Sequence, residues 1–199
     1  MKSENKYIGD DKFKKFLAHY DCKVPLAVVK FRFAGAICSP NESLRPTDVI
    51  SSLWPENNVP RLETKNEAEL FFKFFMGLWD EMFHLVCDNN LKLPRLEAGE
   101  DLAEVCRQRF ETLELGFVEG FFGGHEDLKI PAYIAEVVDS LSRLALLYKS
   151  LSEKKETQSN RQNIFDAVAD CDKMANKSVR FIVDNYVLPH INDLRHTVN

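Results

Sequence analysis

Apolar side chains recur at steps of three and four along almost the whole chain, and alternation at every second position is nowhere sustained. That is the period of helices packed on one face. Residues 10–20 place Phe13, Phe16, Leu17 and Tyr20 on one side, and Asp10 and Asp11 stand near the start, where the helix dipole favours negative charge. A second helix is predicted from Pro25 to Ser39, with Leu26, Val29, Phe33 and Ile37 at helical spacing. Pro25 suits a first turn and Pro40 ends the run. Val28 and Val29 alone would also suit a strand, but the spacing around them favours helix. Pro46-Thr47-Asp48 opens a short helix that reaches about Trp54.

The strongest stripe comes next. Thr64 with Glu67 reads as a capping box. Ala68, Phe71, Phe72, Phe75, Leu78, Trp79, Met82, Phe83 and Val86 then mark one face up to about Asp88. Each large side chain taken out of water contributes roughly 1.5–3 kcal/mol before entropy is subtracted, so this segment is expected to anchor the core. A further helix starts near Glu100-Asp101 and carries Leu102, Cys106, Phe110, Leu113, Phe117 and Phe121 inward; Gly123-Gly124 stops it. Pro131 opens the next, with Ile134, Val138, Leu141, Ala145 and Tyr148 inward. The polar run 152–160 is a linker. The last long helix, about 161–187, has the seam Phe165, Val168, Cys171, Ala175, Val179, Ile182 and Tyr186, and Pro189 closes it. The expected fold is an all-α bundle of about seven helices without a sheet. Residues 1–150 form its core. Residues 151–199 are a linker and a long helix that packs on the core or on a second subunit.

Composition narrows the function more than the fold. The 199 residues are 45% hydrophobic and 29% charged, as in a globular domain, with a net charge of -5. That balance argues against a dedicated nucleic-acid binder. Cys22, Cys38, Cys87, Cys106 and Cys171 are odd in number and contain no CxxC, which excludes a zinc ribbon and points to thiols in a reducing, cytoplasmic setting. No secretory signal opens the chain, and the apolar run from Val24 to Cys38 is broken by Lys30 and Arg32, so no membrane span is expected.

Three segments carry distinct motifs. They are Phe33-Ala34-Gly35-Ala36 with Pro40 and Pro46-Thr47-Asp48-Val49; Leu78-Trp79-Asp80-Glu81; and Leu113-Glu114-Leu115-Gly116-Phe117-Val118-Glu119-Gly120. In this order they resemble the YecA/YgfB-like family of small bacterial all-helical proteins over about residues 25–150. Leu113 stands where the family usually has Trp, Trp79-Asp80 where it has Tyr-Asn, and the SecA-type zinc-binding tail of longer members is absent. The resemblance implies an all-helical fold, dimerisation and no known catalysis.

Candidate chemistry is sparse. Gly116 and Gly120, either side of Phe117, make a groove for the close approach of another helix, and that has to offset up to about 1 kcal/mol per helical glycine. With Trp79 these are the motif residues. Glu81 and His84 form one Glu-x-x-His step, whereas a di-metal bundle needs two; Asp193/His196 is the nearest second. His125-Glu126-Asp127 is the other candidate metal or acid–base group. Lys2, Lys6, Lys12, Lys14, Lys15, Lys23, Lys30 and Arg32 give the first 32 residues eight cations against four acidic residues, a candidate contact for nucleic acid. No complete catalytic, cofactor or metal set results. The expectation is a non-enzymatic protein, without cofactor, that binds an unidentified protein partner or a second copy of itself. A metal-binding bundle through Glu81 and His84 is the alternative, and a nucleic-acid regulator the third reading. The fifteen Phe residues include enough surplus to expect an exposed patch.

Overall fold

The computed structural model describes residues 6–55, 58–125 and 128–191. Those residues form seven helices and no strand. They are α1 (Asp10–His19), α2 (Leu26–Ile37), α3 (Pro46–Ser51), α4 (Lys65–Cys87), a continuous helix made of α5 (Leu102–Phe110), a π-helical stretch (Glu111–Val118) and α6 (Glu119–Phe122), then α7 (Ala132–Ser152) and α8 (Arg161–Ile182), which runs on through a second π-helical stretch, Val183–Val187.

The chain's own chemistry sets these limits. Thr64 Oγ1 accepts the Glu67 N–H at 3.1 Å, while the Glu67 carboxylate reaches back to Glu63 N–H at 2.7 Å, one residue before the position a capping box would use. Asp101 caps α5 by accepting from the N–H groups of Ala103 and Glu104. Gly123, with φ at 56°, ends α6 in the left-handed conformation.

Helix α2 is the central element. Val28, Val29, Phe31, Phe33, Ala34 and Ala36 are all buried, so the helix is apolar nearly all round. It packs on the π stretch and α6 on one side and on α4 on the other. Between α1, α2 and α4 lies an aromatic cluster in which Phe13, Phe33, Phe71 and Phe75 are fully buried. Phe13 meets Phe75 edge-on at 5.4 Å, and Phe33 stacks on Phe75 at 6.1 Å.

Three expectations change here. Of the fifteen Phe, only Phe72 and Phe181 are exposed; the rest are buried or half-buried, so the Phe surplus is interior packing rather than a Phe patch. Phe72 leaves the α4 stripe for solvent because Phe71, one position earlier, takes the inward place. Pro189 does not close the last helix, which continues to Ile191. Proline cannot donate to the Asn185 carbonyl four residues back, but the Tyr133 hydroxyl donates to that oxygen at 3.3 Å, just after a π stretch that has already loosened the helix. Helix α8 packs on α7 and α5 of its own chain. No helix among the described residues is long and apolar enough to cross a membrane.

Candidate functional site

Among the glycines, the tightest surroundings are where α2 crosses the helix that carries Gly116 and Gly120. A Cβ on Gly120 would sit 2.1 Å from the Arg32 carbonyl oxygen, and one on Gly116 would sit 2.9 Å from Phe31 Cβ. The crossing is reciprocal: a Cβ on Gly35 of α2 would lie 2.0 Å from the Phe117 carbonyl oxygen. Glycine on both partners brings the two helices into backbone contact. Phe117 is fully buried at this crossing. Trp79 lies apart from it on α4, half-buried, its ring edge-on to Phe33 at 5.7 Å.

The π stretch supplies what the crossing needs electrostatically. The Glu119 N–H reaches the Glu114 carbonyl, five residues back, and so does not occupy the Leu115 carbonyl as an α-helix would. Arg32 takes it instead, Nε at 2.9 Å and Nη2 at 2.6 Å. Its remaining N–H groups go to the Ser52 carbonyl at 2.8 Å and to Glu119 Oε2 at 2.5 Å. Arg32 therefore leaves the basic N-terminal set: it is 8% exposed and its charge is consumed inside the fold. Lys30 is held by Asp10 at 2.6 Å, whereas Lys12, Lys14 and Lys15 are exposed. Lys2 lies outside the described residues.

Arg32 and Glu119 line a cleft of about 960 Å³. Ser51, Ser52 and Asp48, the apolar Val49, Val118 and Phe122, and Gly123, Gly124 and His125 line it as well. Its serines, like Arg32 and Glu119, are committed to the fold. Ser51 Oγ donates to the Thr47 carbonyl at 2.9 Å and Ser52 Oγ to the Val49 carbonyl at 2.8 Å. A hydroxyl that donates to a carbonyl of its own helix, rather than to a carboxylate or imidazole, is not an activated nucleophile. The cleft is suited to holding a ligand, and it presents no nucleophile–base pair among the described residues.

The other candidates separate. Glu81 and His84 are both exposed on α4, and among the described residues no three His, Cys, Asp or Glu side chains gather into a cation site. His125 is exposed. Its neighbours Glu126 and Asp127, and the pair Asp193/His196, lie outside the described residues. On the face formed by α7 and α8, Tyr133, Leu147, Met174 and Phe181 stand exposed, four of the eight large apolar side chains that do so.

A buried polar network escapes the sequence reading. Arg109 pairs with Asp172, Nε to Oδ1 at 3.0 Å, and also donates to the Pro94 carbonyl at 2.5 Å. The Tyr148 hydroxyl donates to the same Asp172 oxygen at 2.6 Å. Burial, then the Asp172 carboxylate, push the Tyr148 phenol well above its ordinary pKa, so it remains a donor. The signal was present in the sequence: Arg109 falls on the inward side of a stripe running from Cys106 to Leu113, and Asp172 follows Cys171 on the seam of α8. Two opposite charges on facing apolar stripes imply a pair. Glu114 Oε2, on the π stretch, is a buried acceptor without a hydrogen bond among the described residues.

The thiols are equally quiet. The five cysteines form no disulfide. Burial pushes the Cys38 thiol far up and that of Cys106 up to about 11. Iodoacetamide at pH 8 should leave Cys38 and Cys106 unmodified in the folded protein and alkylate both once urea unfolds it; peptide mass mapping reads the difference, and rapid native alkylation of either would contradict the packing. Comparison of the chain with protein-family models, with curated proteins and with solved structures finds no match.

Proposed function

We propose that this chain is a non-enzymatic helical protein that works by binding protein, first of all a second copy of itself, through the face formed by α7 and α8. The exposed apolar stripe on that face is the observation that carries the reading. Tyr133 and Leu147 are two heptads apart on α7 and Met174 and Phe181 one heptad apart on α8, so each pair looks outward on a single side. The rings of Tyr133 and Phe181 meet at 6.4 Å, which makes the two stripes one surface. Charges beside it are balanced within their own helices: Arg143 pairs with Asp139, and Lys173 with Asp170. Exposed Lys177, between Met174 and Phe181, and Glu136, beside Tyr133, are opposite in sign, so a copy related by a two-fold axis can set one against the other.

The committed polar groups of the Arg32 cleft support the non-catalytic half of the proposal, and buried thiols suit a reducing cytoplasm. The resemblance to the YecA/YgfB-like family is part of the same reading; its support is that Gly35 of the first motif meets Phe117 of the third in space. The test is light scattering on the eluted protein. The expected mass is twice 22.9 kDa, falling to the single-chain mass in L147E/M174E, whose exposed positions tolerate charge without unfolding. A single-chain mass for the wild type throughout the micromolar range overturns self-association.

A further inference from the structure

We propose that a second, smaller recess, between the end of α4 and the outer side of α8, is a binding site for a small phosphate ester or inorganic phosphate. Its volume is about 280 Å³, and its polar lining consists of Asn89, Lys92, Asn176, Lys177 and Arg180. Three cations in one recess, with no carboxylate in the lining, stand out in a chain of net charge -5.

The donors are oriented and unspent. Asn176 Oδ1 accepts the Leu93 N–H at 2.8 Å, which fixes the carboxamide and leaves its NH2 group as the free end. Arg180 Nε is held by Asp184 at 3.3 Å, so the guanidinium is anchored while its two terminal nitrogens have no acceptor among the described residues. Asp184 is in turn held by Asn89, whose Nδ2 donates to Oδ1 at 2.7 Å. Lys92 and Lys177 make no ion pair among the described residues. Asn89, with φ at +57°, turns the chain so that the N–H groups of Asn90 and Leu91 both cap the Leu85 carbonyl, and the negative end of α4 is covered there. Asp184 offsets one cation, and the remaining excess suits a dianion with several acceptor oxygens.

Size and surroundings choose among phosphates. A polyanion such as nucleic acid needs a continuous basic track. Here Asp170 pairs with Lys173 and Asp184 with Arg180 on the same helix, and Asp88 ends α4, so carboxylates interrupt the basic row on either side of the recess.

The test is an amide NMR titration of the full chain with inorganic phosphate, against chloride at equal ionic strength. Saturable shifts confined to residues 89–92 and 176–180, with a dissociation constant on the order of 1 mM, are expected. K92Q/K177Q, at exposed positions without partners, should weaken binding about tenfold or more and leave the urea midpoint unchanged. A sugar phosphate should bind at least as well as phosphate itself. Shifts equal to those of chloride, phosphate binding unaltered in K92Q/K177Q, or a single-stranded oligonucleotide that binds tenfold tighter than phosphate would each overturn the proposal.

Discussion

Replacing Gly120 by Ala should destabilise the protein by about 3 kcal/mol, although helix propensity alone would make it more stable by up to about 1 kcal/mol. The sign is what tests the crossing. A methyl group at Gly120 would meet the Arg32 carbonyl oxygen at 2.1 Å and its carbon at 2.8 Å, both backbone atoms that cannot rotate away. Relief requires α2 to move off the helix it packs against, which opens the buried surface of Phe33 and Phe117 and breaks the Arg32 bonds to Leu115. Gly35→Ala, with the Phe117 carbonyl oxygen 2.0 Å from the new carbon, should behave alike. Gly116→Ala should cost less, because its nearest neighbour is the Phe31 Cβ at 2.9 Å. For a chain of this length, about 3 kcal/mol lowers the melting midpoint by roughly 6–12 °C, and urea titration gives the free energy directly. A Gly120→Ala protein as stable as wild type would mean that the helices do not touch there.

Truncating Asp172 to Ala should cost about 3–5 kcal/mol, the range for leaving a buried charge without its partner. Arg109 would then face the interior with only the Pro94 carbonyl to accept from it, and the Tyr148 hydroxyl would lose its acceptor. Arg109→Met combined with Asp172→Leu should recover much of the loss, since desolvating two charges consumes most of what their attraction returns. If the double variant is no more stable than Asp172→Ala, the pair is not the source of the effect. Tyr148 adds a pH signature. Its pKa is raised in the folded protein, so its contribution is complete below the unfolded-state value of about 10 and is lost as pH rises toward the folded one. Tyr148→Phe should therefore lose stability at neutral pH and show a shallower decline in alkali, read as urea midpoints between pH 7 and 11.

These two sites divide the legible from the hidden. The Gly116/Gly120 groove could be read as a place for close helix approach because helical glycine carries a known cost. The partner could not: Gly35 lies about eighty residues earlier, in a segment whose apolar spacing and flanking prolines marked it only as a helix. Arg32 was misplaced in the exposed basic set for a related reason. Its environment depends on the Leu115 carbonyl, and that oxygen becomes available only because the helix takes a π turn at Glu119. The Arg109–Asp172 pair joins residues that are remote in sequence, so no window along the chain contains both.

What the sequence determined by itself is the set of helices and their inward faces. Proline before a helix, glycine after one, Thr64 and Asp101 as caps, and apolar side chains at steps of three and four all act within a turn or two. Tertiary structure alone decided which helices touch, where two of them loosen into π turns, and which charges are buried. Those outcomes follow from excluded volume and desolvation between distant segments, and these forces have no value until the chain has brought the segments together.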